Sequence, residues 1–313
     1  MFDCHIFLPM PFISVIIPVY NSDDTLKECV KSVLNQSFSD IEVIVVNDGS
    51  KDVSGGIADD FAEKDKRVKV IHQENLGRSM ARWNGVKEAT GVWIAFVDSD
   101  DTLPVNALRD LAEMADDSTD IVFGNGFTVF VDERSVVELH EFRKLAVRAD
   151  GTIGVPWGSL YRRDIVTYQA FDVPREIYNG EDYIFWLNII FKTDMPVKVV
   201  NHSVYNKGEE HTASSFFWTA DYAYKLNEFR KKYVPAHLHK MYMPEMIEDR
   251  LTNLFAVTLC QPRRVWQNSQ FYKDILADMK ECGINFTFKQ RLFLSLPSIA
   301  LRKTYSKISE ILH

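Results

Sequence analysis

The 313-residue chain is poor in cysteine: Cys4, Cys29, Cys260 and Cys282 lie far apart, with no Cys-x-x-Cys pair and no histidine-rich partner segment. That spacing excludes a zinc site and a disulfide framework, and predicts buried free thiols in a reducing compartment. Long hydrophobic runs are missing too. A membrane-spanning helix needs about 20 apolar residues, and residues 1–11, although apolar, are short, lack a basic leader and run into a strand pattern. Neither a signal peptide nor a transmembrane helix is expected. Basic charge is in deficit, with 36 Lys and Arg against 44 Asp and Glu for a formal charge of −8. Nucleic acid is therefore a poor partner, because its phosphates need a basic footprint. A glycine-rich Walker-type loop, internal repeats and low-complexity tracts are also absent. Any phosphate ligand must be held locally, on a globular chain whose 46% hydrophobic content suffices for one large domain and an appendage.

What the chain does have is centred on residues 93–102, WIAFVDSDDT. Five consecutive apolar residues, several of them β-branched or aromatic, suit a central strand covered on both faces. Asp98, Asp100 and Asp101 then fall at its carboxyl end, the edge at which open α/β sheets bind ligands. Three carboxylates this close repel one another and ask for a compensating cation. The alternative is an Asp-rich turn capping a helix that Thr102 and Pro104 begin.

Around this stretch the pattern alternates. Residues 12–17, FISVII, form a strand that stops at Pro18, with Ser22, Asp23 and Asp24 as helix caps and Leu26, Cys29, Val30, Val33 and Leu34 as one helical stripe. IEVIVV at 41–46 is a second core strand, ended by Asn47 and Asp48. A helix around 57–62, a strand at 68–71 and a helix at 77–87 follow, which predicts right-handed βαβ crossovers and a mostly parallel sheet. Beyond a helix carrying Leu108, Leu111 and Met114 and a strand at 121–123, candidate strands at 127–131 and 158–162 fit an antiparallel extension. Glu181 and Asp182 precede an apolar helix, where its dipole favours ionised carboxylates. From about Ala220 the chain reads as helical, with a boundary expected near 207–215.

Six motifs in order, SVIIPVYN at 14–21, VNDGS at 46–50, ENLG at 74–77, Ala81-Arg82, FVDSDD at 96–101 and GED at 180–182, resemble the nucleotide-diphospho-sugar glycosyltransferases of family 2 with the GT-A fold. The resemblance covers residues 12–215. It implies an α/β, Rossmann-like, mostly parallel sheet with helices on both faces in a catalytic domain over 1–212, plus a helical region over 213–313. Nucleotide-sugar binding would occupy about 12–102 and the acceptor side about 103–212. It also implies that Pro18 and Tyr20 border uracil, that Asp48 hydrogen-bonds the base, that Asp98 contacts the ribose and that Asp100 ligates Mn2+ or Mg2+. Transfer from a UDP-sugar creates a diphosphate leaving group, and a divalent ion bridging Asp100 and the phosphates answers the missing Walker loop. Arg82, Lys207 and His211, with Arg78, are candidates for the remaining positive surroundings. An inverting transfer needs one general base; Asp182 is assigned that role, with Glu181 orienting the site. Trp157 offers either a sugar platform or core packing.

The chain departs from the family pattern at Asn47, where an aspartate is commoner, at Trp83, which displaces Asn84 by one, and at Lys207, which replaces an arginine and lacks its bidentate geometry. The activity implied is a metal-dependent hexosyl or N-acetylhexosaminyl transfer to a glycan or lipid-linked acceptor in bacterial surface polysaccharide synthesis. A catalytically degenerate carbohydrate-binding or scaffolding relative, and a sugar nucleotidyltransferase, are the competing classes. Intact Asp98, Asp100 and Asp182 speak against the first, and the lack of a basic glycine-rich loop after the first strand against the second. Lys289, Arg291, Arg302, Lys303 and Lys307 alternate with apolar residues along a tail that Pro297 splits into two short helices. Such helices either lie at an anionic membrane surface or pack back on the catalytic domain, and a lipid-linked acceptor implies a cytoplasmic protein attached peripherally to the inner face of the membrane.

Overall fold

A computed structural model describes residues 11–124, 136–149, 153–177, 179–208 and 216–309. The chain divides into two compact units, one of Met1–Phe142, Val155–Glu176 and Lys192–Glu210, the other of Arg143–Gly154, Ile177–Phe191 and His211–His313.

Among the described residues the first unit is built on an eight-stranded sheet in the order β3-β2-β1-β4-β7-β5-β8-β6. In chain order its elements are β1 (Ile13–Val19), α1 (Leu26–Leu34), β2 (Ile41–Asn47), α2 (Ser54–Lys64), β3 (Val68–His72), α3 (Arg78–Glu88), β4 (Trp93–Phe96), α4 (Ala107–Ala112), β5 (Ile121–Gly124) and β6 (Val136–Val137). Helix α5 (Leu139–Arg148) crosses into the second unit, and β7 (Ser159–Arg162) and β8 (Val197–Val200) complete the sheet. Strands β3, β2, β1 and β4 are mutually parallel, as the alternating pattern predicts. The extension read at 158–162 is β7, antiparallel to both β4 and β5. Its companion candidate at 127–131 lies outside the described residues. Every residue of β1 and β2 is buried, and the two-residue alternation sorts them between two layers. Ile13, Val15, Ile17 and Val19 join Leu26, Cys29, Val30 and Val33 of α1 and Leu108 and Leu111 of α4. On the opposite face α3 comes so close that a Cβ on Gly85 would lie 2.5 Å from Ile16 Cγ2, so only glycine allows that packing.

Two local expectations are corrected, and the alternative reading of Thr102 as a helix start is set aside. Strand β1 does not stop at Pro18 but continues through it, paired with Val46 of β2. The β4 ladder has already ended at Phe96 opposite Ile16, so a missing N–H is tolerated there as on an edge strand. Helix α1 begins after Thr25 without a side-chain cap; Ser22 Oγ instead lies 2.7 Å from Ser99 Oγ, and the Asp23 N–H donates to Asp52. Thr102 starts no helix. It forms an antiparallel bridge with Asn206.

The second unit is helical: α6 (Glu181–Ile190), α7 (Ala220–Lys231), α8 (His239–Cys260), α9 (Arg263–Trp266), α10 (Gln270–Glu281), α11 (Phe288–Ser295) and α12 (Ile299–Ser309). Ile247, Leu251 and Leu254 of α8 meet Trp266, Phe271, Ile275 and Phe293 in its core. Thr287 and Gln290 form a reciprocal capping box at the start of α11. The tail thus forms the two short helices expected around Pro297, and they pack within this unit, Phe293 and Leu294 joining α8 in its core. Arg302 is fully buried and donates to the carbonyls of Thr258, Gln261 and Leu296 at 2.7, 3.2 and 2.8 Å, closing the carboxyl end of α8, whose last carbonyls lack helical partners.

Candidate active site

The residues singled out in the first half of the chain converge on the carboxyl edge of the parallel strands. Pro18 is the penultimate residue of β1, Tyr20 follows the strand with 47% of its surface exposed, Asp48 follows β2, and Asp98, Asp100 and Asp101 follow β4. Loop-to-loop bonds hold this edge: the Asn21 N–H donates to Ser50 Oγ, and the Lys51 N–H donates to Asn21 Oδ1.

The three aspartates have different environments. Asp98 accepts from Arg82 Nη2 at 2.7 Å, and Arg82, delivered by α3, is 3% exposed. Asp101 is buried and accepts from Tyr205 Oη at 2.7 Å through Oδ2 and from the Gly208 N–H at 2.7 Å through Oδ1. Burial still pushes its carboxyl above the ordinary carboxylate value, with Asp100 and Asp98 adding to the rise. Asp100 is exposed, and among the described residues its carboxylate has no partner. The same Tyr205 hydroxyl accepts the Asp98 N–H at 3.0 Å, and its own pKa is driven far up, first by burial and then by these carboxylates. Trp157 stacks on Tyr205, with centroids 4.2 Å apart and 15° between planes, so one face of the proposed sugar platform is taken by this support. Gly208 admits no side chain, because a Cβ would come within 2.1 Å of the Asp100 carbonyl oxygen. Between Asn206, bridged to Thr102, and Gly208, bonded to Asp101, the exposed Lys207 is set beside the acidic turn. Buried Cys29 donates to the Asp98 carbonyl, and burial, followed by the nearby acids, pushes its thiol far up, which makes it a structural donor. Cys260 is partly buried and Cys282 exposed, so the expectation of buried thiols holds fully for Cys29 alone among the described cysteines.

Asp48 is 3% exposed and accepts from Gln73 Nε2, Leu76 N–H and Gly77 N–H at 2.7, 2.8 and 2.9 Å. Since an ionised carboxylate has about four lone-pair sites, room for one further donor remains. The departures from the family pattern find local causes. His72 donates from Nε2 to Asp59 and accepts at Nδ1 from Asn47 Nδ2, the tautomer assigned because both partners then bond; an aspartate at 47 could not donate. Trp83 packs against Tyr168 and Phe171. The displaced Asn84 donates to Gln73, which reaches Asp48 in turn.

Glu181 and Asp182 stand in the second unit, in the first turn of α6, with Gly180 before them in the left-handed conformation (φ +88°). His211 lies outside the described residues. Sequence reasoning missed Tyr205, Gly208 and Gln73. An aromatic residue two places before Lys207 was the one available signal.

Among the described residues no group of three or more His, Cys, Asp or Glu could hold a metal ion by protein ligands alone. The acidic turn nevertheless fits a hard divalent cation of the kind that takes one or two carboxylates and fills its shell with phosphate and water. Asp101 is committed to protein donors through both oxygens, Asp98 through one, and Asp100 faces outward.

Similarity to known proteins bears on the family and the fold. The chain is 35% identical over 209 residues to the uncharacterized glycosyltransferase EpsJ of Bacillus subtilis (strain 168), an alignment covering 63% of this chain and 60% of that protein. It is 34% identical over 187 residues to the putative glycosyltransferase EpsH of the same organism, covering 56% and 54%. The chain therefore spans little more than half the length of these relatives. Among solved structures, S. aureus TarS 1-349 in complex with UDP superposes with a TM-score of 0.60 at 20% identity, covering 88% of this chain and 93% of that one. The mannosyltransferase PcManGT from Pyrobaculum calidifontis, in complex with GDP-Man and Mn2+, gives 0.56 at 16%, covering 96% and 88%. These likenesses carry the fold, which is of the GT-A type expected. The family model described as Glycosyl transferase family 2 matches residues 14–170, half of the chain, and the chain belongs to that family.

Proposed function

We propose that the protein is an inverting glycosyltransferase that moves a hexosyl or N-acetylhexosaminyl group from a UDP-sugar to a hydroxyl of a glycan or lipid-linked acceptor in bacterial surface or capsular polysaccharide synthesis. The observation that carries this is the convergence of Asp48, Asp98 and Asp100 on the carboxyl edge of β2 and β4, with Arg82 bonded to Asp98 and Tyr205 tying Asp98 to Asp101 on either side of Asp100. In this proposal Pro18 and Tyr20 flank the base, Asp48 accepts from it and Asp98 holds the ribose. Asp100 would hold Mn2+ or Mg2+, which when bound supplies Lewis-acid stabilisation of the departing diphosphate. Opposite unit charges about 4 Å apart attract by about 4 kcal/mol at an effective dielectric of about 20, so Lys207 and His211 would add to that stabilisation. Asp182 takes the proton of the acceptor hydroxyl as its oxygen forms the new bond to the anomeric carbon. The electron pair of the broken carbon–oxygen bond leaves with the diphosphate. Glu181 helps orient the site.

The test is hydrolysis of UDP-glucose, UDP-galactose, UDP-N-acetylglucosamine and GDP-mannose with and without Mn2+. We expect Mn2+-dependent turnover of a UDP-sugar that Asp182→Asn lowers by roughly 10²- to 10⁴-fold, the span for loss of a general base. Mn2+-dependent UDP binding without turnover of any donor would favour the degenerate carbohydrate-binding class.

Among the described residues no helix is long and apolar enough to cross a membrane. We place the protein in the cytoplasm, attached peripherally to the inner face of the membrane. Phe288, Leu292 and Leu301 remain 81%, 39% and 48% exposed on α11 and α12, with Lys289, Arg291, Lys303 and Lys307 also exposed. Such an apolar and basic surface on an acidic protein matches anionic headgroups.

A further inference from the structure

The first turn of α6 lacks a side-chain cap, yet it begins at the two acids to which the proposed chemistry assigns the proton. What holds it is one stripe of α7 at i, i+4 and i+8, formed by Tyr222, Leu226 and Arg230. Tyr222 Oη accepts the Asn179 N–H and donates to the Asn179 carbonyl, both at 2.9 Å, so one hydroxyl satisfies both backbone groups of the residue before the turn. Leu226 and Arg230 face Gly180. A Cβ there would lie 3.4 Å from a Leu226 methyl and 2.8 Å from Arg230 Nη2, at a backbone φ of +88° that disfavours any side chain. The Arg230 guanidinium also covers the Tyr183 ring at 4.9 Å. Arg230 is itself immobilised: it is 6% exposed, and its Nη1 donates to both oxygens of buried Asp249 at 2.8 and 3.1 Å. Asn253 Nδ2 reaches Asp249 Oδ1 at 3.3 Å from the next turn of α8. Residues 179–183 thus lie on a bed that α7 supplies and α8 anchors.

We propose that Tyr222 and Arg230, with Asp249 behind Arg230, are positioning residues that set the placement of Glu181 and Asp182 for proton abstraction. This rests on the assignment of Asp182 as the base. An ion pair and a stacked ring fix a turn more tightly than apolar contact, because the planar guanidinium fork has a defined orientation. A base displaced by about 1 Å loses up to about 100-fold in rate, while donor binding has no part in this contact.

The test uses the full-length protein with Mn2+ and the UDP-sugar it hydrolyses fastest among UDP-glucose, UDP-galactose and UDP-N-acetylglucosamine. Tyr222→Phe deletes both bonds to Asn179 and keeps the ring, and Gly180→Ala pushes directly on Arg230. Each is expected to lower kcat by about 10- to 100-fold, leave the donor KM within twofold and change the pH profile of kcat. In an Asp182→Asn background Tyr222→Phe is expected to cost nothing further, since a residue acting only through the base has nothing left to position. Full multiplicative loss in that background, or unchanged kcat and pH profile in both single variants, would overturn the proposal while leaving the base assignment intact. Wild-type turnover by Asp182→Asn would overturn both. Gly180→Ala and Tyr222→Phe alter different contacts of the turn, so misfolding of one, read by circular dichroism, leaves the other decisive.

Discussion

Replacing Tyr205 by phenylalanine removes one oxygen and keeps the ring that Trp157 stacks on, so its effect isolates the hydrogen bonds of the acidic turn. That oxygen donates to the buried Asp101 carboxylate at 2.7 Å and accepts the Asp98 N–H at 3.0 Å. A hydrogen bond to a charged group contributes about 1.5–3 kcal/mol, and an amide left without an acceptor costs about 1 kcal/mol more. Tyr205→Phe is therefore expected to destabilise the first unit by about 2.5–4 kcal/mol, read as a lower urea midpoint with an unchanged slope. Because Asp98 and Asp101 bracket Asp100, the same variant is expected to weaken Mn2+-dependent UDP binding by more than tenfold under conditions where it stays folded. The near-parallel stack with Trp157 should persist, since phenylalanine presents the same face. A midpoint within error of wild type together with unaltered UDP affinity would mean that Tyr205 does not organise the acidic turn.

The buried Glu42 carboxylate accepts from Ser14, Lys69, Thr90 and Gly91. Burial raises its pKa, but these bonds overcome that and hold it at about 2 against an ordinary 4.5. A lowered carboxylate pKa stabilises the fold above pH 4.5, and that stability, about 3 kcal/mol, is lost as pH falls toward 2. Glu42→Gln should flatten the acid limb of a stability–pH curve between those values, and an unchanged limb would refute the assignment. Arg302→Ala leaves three carbonyls at the ends of α8 and α11 without their donor and is expected to destabilise the helical unit by about 3 kcal/mol or more, whereas an unchanged melting curve would show that those carbonyls find water. Full-length protein should bind anionic liposomes in a salt-sensitive way, and joint Phe288→Ser and Leu292→Ser substitution should weaken that binding without touching donor hydrolysis; indifference to such vesicles at low salt would remove the membrane from the account.

Strands buried on both faces announce themselves as continuous apolar runs, so β1, β2 and β4 and the acids at their ends were legible from residue order alone. Their legibility ended at Glu42, which sits inside the run IEVIVV yet serves as a polar clamp across four strand starts. Its partners Ser14, Lys69, Thr90 and Gly91 come from separate segments that no local pattern links. Tyr205 was hidden for the same reason: its bonds to residues 98 and 101 span more than a hundred positions. Capping by Ser22 was misread because short polar side chains serve equally as caps and as loop ties, and only the fold brings Ser99 within reach. The tail, read as an amphipathic basic segment, contained an arginine that turned inward, since carbonyls at the ends of both α8 and α11 offset the cost of burying a guanidinium. In the second unit, Glu181 and Asp182 were visible as a motif, whereas the α7 stripe beneath Asn179 and Gly180 lies some forty or more residues further along.

Isothermal titration of UDP in the presence of Mn2+, for wild type and for Asp100→Ala, tests the donor site most directly. Asp100 is the outward-facing member of the acidic turn, so its loss should leave the fold and the bonds of Asp98 and Asp101 in place. We expect wild type to bind UDP with an affinity that falls at least tenfold when Mn2+ is withheld, and Asp100→Ala to bind as weakly with the ion as wild type does without it. Undiminished, Mn2+-dependent affinity in Asp100→Ala would put the metal elsewhere and contradict the account of this edge.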